Sequence, residues 1–156
     1  MKKFCLLFSL FILTSCAHSM KDLSTAIDDN HVIWTGKWKS SIVGVKGNLA
    51  VKLPDPIPNG REFDAKTIVT YKWFLFPMGD MSIDLIGKFD SSGISSDKSD
   101  ETGQQIYQIS FKGKVPNSKQ TIEYIATIDD KKSIIVGGYK SYSPNDIGTF
   151  TIKKRL

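Results

Sequence analysis

Cysteine is nearly missing from this 156-residue chain: there are two, Cys5 and Cys16, both within the first sixteen residues. Past Cys16 no side chain can form a disulfide, ligate a metal through sulfur or act as a thiol nucleophile. Histidine is scarce too, with His18 and His31 alone, short of the three or four ligands of a zinc site. No apolar run reaches the roughly 20 residues that span a bilayer as a helix. There is no Gly-x-Ser-x-Gly elbow for a hydrolase nucleophile. The acidic residues Asp90, Asp97, Asp100 and Glu101 fall together without the Asp-x-Asp-x-Asp-Gly spacing of a calcium loop. Lys and Arg are scattered, apart from Lys153-Lys154-Arg155, so no basic stripe argues for nucleic acid. These absences leave no argument for an enzyme, a metal or a cofactor.

What is present begins at the N-terminus. Lys2 and Lys3 precede an apolar run from Phe4 to Leu13, broken only by Ser9, and Thr14-Ser15-Cys16 follows. A basic start, a short apolar stretch and small residues before a cysteine have the form of a cleaved leader. The arrangement resembles a bacterial lipoprotein signal. The resemblance implies cleavage before Cys16, removal of residues 1–15, and lipid on the Cys16 thiol. Two or more acyl chains would hold the protein stably on a membrane, where one would not. Ala17, where an inner-membrane retention signal often has Asp, implies the outer membrane, on its periplasmic side. Loss of Lys2 and Lys3 would lower the formal charge from +5 to +3, so the basic balance belongs partly to the leader.

Residues 16–30 form a polar tether in which Leu23 and Ile27, spaced i, i+4, predict at most a short helix. Residues 31–156 read as one β domain. Period-two alternation recurs in Val32–Ile42, Asn48–Leu53, Ala65–Phe74, Met81–Phe89, Gln105–Lys112, Thr121–Ile128, Ser133–Ser141 and Ile147–Arg155. Phe76-Pro77-Met78-Gly79-Asp80 and Pro116-Asn117-Ser118 are among the expected turns. Asp84 and Glu123 fall on the parity opposite their apolar neighbours and are expected in solvent. Short connections make neighbouring strands antiparallel. Eight such strands predict an all-β, eight-stranded antiparallel up-and-down barrel, which leaves no open edge. A two-sheet sandwich would need longer connections than the last three turns provide. Gly36, Gly87, Gly137, Gly138 and Gly148, all within strands, mark bends or close backbone approaches.

Gly36-Lys37-Trp38 on the first strand is similar to the Gly-x-Trp signature of calycins, the lipocalin, avidin-like and fatty-acid-binding barrels. The resemblance implies that Trp38 plugs the closed end of the barrel and that a late basic side chain, Arg155, packs over it. The plainer reading is a core Trp38 and a solvated Arg155. Tyr71, Trp73, Tyr107, Phe111 and Tyr124 are expected on the inward face, where aromatics with a few hydroxyls suit either an apolar ligand pocket or a filled core. Two functions follow. One is a membrane-anchored, calycin-like lipoprotein that holds a small apolar or amphipathic ligand. The other is an envelope lipoprotein that binds a protein, as an assembly factor or enzyme inhibitor, through the loops Pro54–Phe63 and Asp90–Gly103. In either case the membrane is reached through the lipid anchor. Replacing Cys16 by Ser is expected to abolish incorporation of a labelled fatty acid and to move the protein out of the membrane fraction; retained label on the variant would dismiss the lipoprotein reading.

Overall fold

The computed structural model describes residues 30–73, 76–91, 106–129, 133–142 and 145–155. The leader, Cys16, the tether with Leu23 and Ile27, and all but the start of the Asp90–Gly103 loop lie outside these residues. Within them the chain forms eight strands: β1 (His31–Ser40), β2 (Lys46–Pro54), β3 (Glu62–Trp73), β4 (Phe76–Asp90), β5 (Ile106–Lys114), β6 (Thr121–Asp129), β7 (Ile134–Tyr142) and β8 (Asn145–Lys154). Each pairs antiparallel with the next, and β8 returns to pair with β1 from Trp34↔Lys154 to Ser40↔Gly148. The sheet is therefore a closed barrel, as the alternation predicts.

Closure puts alternate residues inside. β6 shows the rule most plainly: Ile122, Tyr124, Ala126 and Ile128 are buried, while Ile125 and Thr127 face out. Leu49, Leu53, Ile83, Ile109, Ile135 and Ile152 are the most completely buried large side chains and fill the middle of the barrel. Branched aliphatics suit this position because they fit a pleated surface with few rotamers to lose. Thr67 is buried among them with its hydroxyl donating to the Ala50 carbonyl at 3.0 Å, so no polar group is stranded there. The outer wall is not uniformly wet: Ile33, Ala50 and Ile68, neighbours across β1, β2 and β3, form a second small buried cluster on the outward parity.

One expectation fails. Phe76 to Asp80, read as a turn, is the first part of β4. The register shifts between Tyr71 and Lys72, so that Pro77 sits opposite Lys72 and pairing resumes at Tyr71↔Gly79. A bulge tolerates a proline that has no N–H to give the ladder, and Gly79, at φ 121°, takes a backbone angle that L side chains rarely adopt. The Pro-Met-Gly sequence that signals a turn here signals a bulge.

Among the described residues, the core cluster is built from the eight strands and the turns that join them. Truncating Ile83 to Ala, at a position with no exposure, should cost about 2–5 kcal/mol. Truncating Ile125, 61% exposed on the outer wall, should change stability by no more than about 0.5 kcal/mol. Urea denaturation of the two variants checks the assignment of inside and outside, and equal losses would contradict it.

Candidate functional site: an aromatic cup at the hairpin end

The two ends of the barrel differ. The turns β1–β2, β3–β4, β5–β6 and β7–β8 gather at one, the hairpin end. The start of β1 and the remaining connections gather at the other. The hairpin end holds a cavity of about 290 Å³, at the low end of ligand-site volumes. Its walls are Leu49, Val69, Met81, Ile122 and Tyr124, with Val43, Val45 and Val115 toward the mouth.

Trp38 and three tyrosines shape the cup. The Trp38 ring meets Tyr71 edge-on at 5.4 Å and Tyr139 edge-on at 5.8 Å, between ring centroids. Tyr124 lies 6.1 Å from Tyr139 and meets Phe150 edge-on at 5.7 Å. Edge-to-face contacts of this kind add to burial because the ring edge is positive and the face negative. Two glycines make the arrangement possible. A Cβ on Gly47 would strike the Thr70 carbonyl and the Trp38 indole nitrogen, and their place is instead taken by a hydrogen bond in which Trp38 Nε1 donates to Thr70 O at 3.0 Å. Gly148 faces Tyr139 across the β7–β8 ladder, and any Cβ there would meet the Tyr139 ring.

Polar groups are few and placed at defined points. Tyr139 donates to Asp146 Oδ2 at 2.7 Å, and buried Ser40 donates to the other oxygen, Oδ1, at 2.7 Å. Tyr71 donates to Met81 Sδ at 3.6 Å. Gln120 Nε2 donates to the Ser141 hydroxyl at the rim. Tyr124 is 7% exposed and lines the cavity. Burial pushes the Tyr71 hydroxyl up to about 12. Burial also raises Tyr124, with the nearby Tyr71 adding to it, and raises Tyr139, where the Asp146 hydrogen bond and charge add further. The cup is thus a medium that resists negative charge.

The expected site residues are divided by this geometry. Tyr71 and Tyr124 line the cup. Phe111 is buried deeper, edge-on to Phe63 at 6.1 Å. Tyr107 packs edge-on to Phe89 at 5.6 Å at the opposite end. Trp73 belongs to β3, and its side chain lies outside the described residues. Gly36 pairs with Leu49 on one side and Ile152 on the other, within the closing seam. The expected stacking of Arg155 on Trp38 is corrected: Trp38 is opposite Phe150, whereas the Arg155 N–H donates to the Ile33 carbonyl, near the start of β1. Phe150 and Arg155 are five positions apart along the chain, roughly 16 Å of extended strand. Arg155 is exposed, as in the plainer reading. Trp38 lines an open cup, and Trp34 takes the opposite end, buried with its indole N–H unpartnered among the described residues. Glu123 faces out and pairs with Lys112 at 2.9 Å.

Trp38 as a cup wall, Tyr139 and Asp146 are cavity-lining residues that sequence reading missed. Ile134–Tyr139 carries apolar or small residues on both parities, so alternation did not choose a face for Tyr139. The other end of the barrel has a hollow of about 390 Å³ beside Trp34, Phe89 and Tyr107, but Lys154 and Asp55 pair at 2.8 Å on its rim. No protein-family model, curated protein or solved structure matches the chain.

The buried tyrosines set a pH dependence. Their folded values lie above the ordinary value of about 10, so above pH 10 the unfolded chain has lost protons that the folded chain keeps. Stability is therefore fully present below pH 10 and falls as pH rises toward the folded values. In an alkaline titration the phenolate absorbance of Tyr71, Tyr124 and Tyr139 should appear together with the loss of the β circular-dichroism signal. Full ionisation of all five tyrosines near pH 10 with the barrel intact would contradict the buried cup.

Proposed function

We propose that this protein is a membrane-anchored lipoprotein whose calycin-like barrel holds a small apolar or amphipathic ligand in the hairpin-end cup. One observation carries the reading: an apolar cavity of about 290 Å³ at the hairpin end, walled by the rings of Trp38, Tyr71, Tyr124 and Tyr139. Tyrosine hydroxyls on such a wall can hydrogen-bond a ligand oxygen or nitrogen, a contact that contributes about 0.5–1.5 kcal/mol. The closed eight-stranded barrel supports the calycin-like part of the reading, and the residues around Cys16 support the anchor and a place on the periplasmic side of the outer membrane.

The chemistry of the cup narrows the ligand. Asp146 holds a carboxylate at the mouth, and burial keeps the three tyrosines neutral. A carboxylate-headed ligand would meet the same desolvation and a like charge. A ligand with an uncharged polar head, such as an alcohol, ester or amide on a short apolar body, meets neither. The proposal assigns no reaction to the protein: holding such a molecule needs the cup and nothing else.

The chain from Ala17 onward keeps every described residue and omits Cys16, so it serves for solution tests. It should bind phenylnaphthylamine, a small uncharged dye that brightens in apolar surroundings, saturably and with one site. Met81→Trp, which fills the cup, should abolish binding. Tyr124→Phe should weaken a ligand with a hydrogen-bond acceptor by about 0.5–1.5 kcal/mol, roughly two- to twelvefold. A medium-chain alcohol should displace the dye better than the matching fatty acid at neutral pH. Undiminished binding to Met81→Trp would place the ligand elsewhere; no ligand binding together with a partner protein lost on deleting Pro56–Gly60 would favour the protein-binding reading.

A further inference from the structure

The outer wall beside the cup carries a charge arrangement that the barrel itself does not use. Lys39 on β1 is directly opposite Lys46 on β2, and Lys46 is directly opposite Lys72 on β3. All three are exposed and on the outward parity. Side chains so placed have Cβ atoms about 4.5–5.5 Å apart, and like charges there are destabilising. None of the three has an ion-pair partner among the described residues, although Asp80 and Asp146 lie at the same end. Three adjacent uncompensated cations are a feature an anionic partner would relieve.

The same hairpin carries exposed apolar side chains. Between Lys39 and Lys46 the β1–β2 turn reads Ser40-Ser41-Ile42-Val43-Gly44-Val45, with Ile42 55% and Val43 57% exposed. Met78, near the start of β4 on the adjoining hairpin, is 63% exposed. Val43 is at once a wall of the cup and part of this tip. Exposed apolar residues flanked by lysines, at the rim of an apolar cavity, match a bilayer boundary, where anionic headgroups lie beside acyl chains. An acidic protein would satisfy the lysines but leave Ile42 and Met78 unexplained.

We propose that the hairpin end docks on an anionic lipid bilayer: Ile42, Val43 and Met78 enter the boundary between headgroups and acyl chains, Lys39, Lys46 and Lys72 meet lipid phosphate, and the cup opens toward the membrane. The tether permits this. About fourteen residues run from Cys16 to Asn30, spanning at most about 46–50 Å when extended. A ten-residue strand tilted as in a small barrel rises only about 25 Å. An anchor leaving the far end of the barrel therefore reaches the same bilayer that the hairpin end touches. The docking face stands on the lysines and the exposed tip, and does not require the cup to be occupied.

The test is co-sedimentation of the chain from Ala17 onward, which lacks the acylated cysteine, with vesicles of phosphatidylcholine alone or mixed with phosphatidylglycerol. The protein should bind the mixed vesicles, lose binding at high salt, and ignore the zwitterionic ones. Combining Lys39→Glu, Lys46→Glu and Lys72→Glu should lower partitioning on the order of a hundredfold, about fivefold for each lysine. Ile42→Ser with Met78→Ser should lower it as well. Lys52→Glu with Lys66→Glu, a second cross-strand lysine pair nearer the other end of β2 and β3, should leave it unchanged. Unaltered circular dichroism and retained dye binding in each variant separate loss of docking from loss of fold or of the cup. Equal binding to both vesicles, or equal loss in the Lys52 and Lys66 variant, would overturn the proposal. So would tight binding to polyglutamate in place of vesicles that is indifferent to Ile42→Ser and Met78→Ser, which would assign the face to an acidic protein.

Discussion

The pairing of β8 with β1 is the constraint on which the rest depends. Seven hairpin-linked pairs would leave two long edges with unpaired N–H and C=O groups, and a sheet without a defined inside. The seam from Trp34↔Lys154 to Ser40↔Gly148 removes both edges and fixes which parity is interior for every strand. It also brings distant chain segments together. Ser40, at the end of the first strand, meets Asp146, near the start of the last, 106 residues away. The wall of the cup made by Trp38 and Tyr139 exists only because that seam is closed.

Given closure, side-chain size decides what the interior becomes. Eight strands enclose a space just wide enough for side chains or one small ligand. In the middle of the barrel, Leu49, Ile83, Ile109, Ile135 and Ile152 fill it. Toward the hairpin end, Gly47 and Gly148 withdraw volume, and the space goes to the rings of Trp38 and Tyr139 that lie over them. Rings packed edge-on against one another leave a shallow void that aliphatic side chains would have closed. The cup is therefore a local change in packing within a filled barrel, and a filled core and an open cavity coexist in it.

The fold was legible because period two is a strong signal when every strand has one wet face, and the residues that depart from it mark where legibility ended. Phe76 to Asp80 carries a proline and a glycine, which in isolation signal a turn; only the partner strand reveals that they occupy a bulge. Tyr139 sits among Ile134, Ile135, Val136, Gly137 and Gly138, where neither parity is distinct, so its place in the cup had no signal. Arg155 was paired with Trp38 on the ground that first and last strands adjoin. That is true of the strands, but antiparallel order sets the end of β8 against the start of β1, which is where Trp34 lies, and Trp38 is at the other end. Neighbouring strands can be inferred from connection length; neighbouring residues need the register.

Ser40 links the tip of the β1–β2 hairpin to the cup. Its hydroxyl oxygen accepts from the Ile42 N–H at 3.1 Å and the Val43 N–H at 2.9 Å, and its proton goes to Asp146. Asp146 in turn accepts from Tyr139, whose ring is a wall of the cup. The exposed tip of the β1–β2 hairpin is thereby tied, through one hydroxyl and one carboxylate, to the interior aromatic cluster. Hydrogen bonds to a charged acceptor are about twice as strong as neutral ones, and Ser40 is nearly excluded from solvent, so the chain is well suited to hold the tip in register with the cup. A force or contact at Ile42 and Val43 acts on the backbone that Ser40 caps, and a shift of Ser40 alters the partners of Asp146 and Tyr139. Tip and cup are therefore one hydrogen-bonded unit.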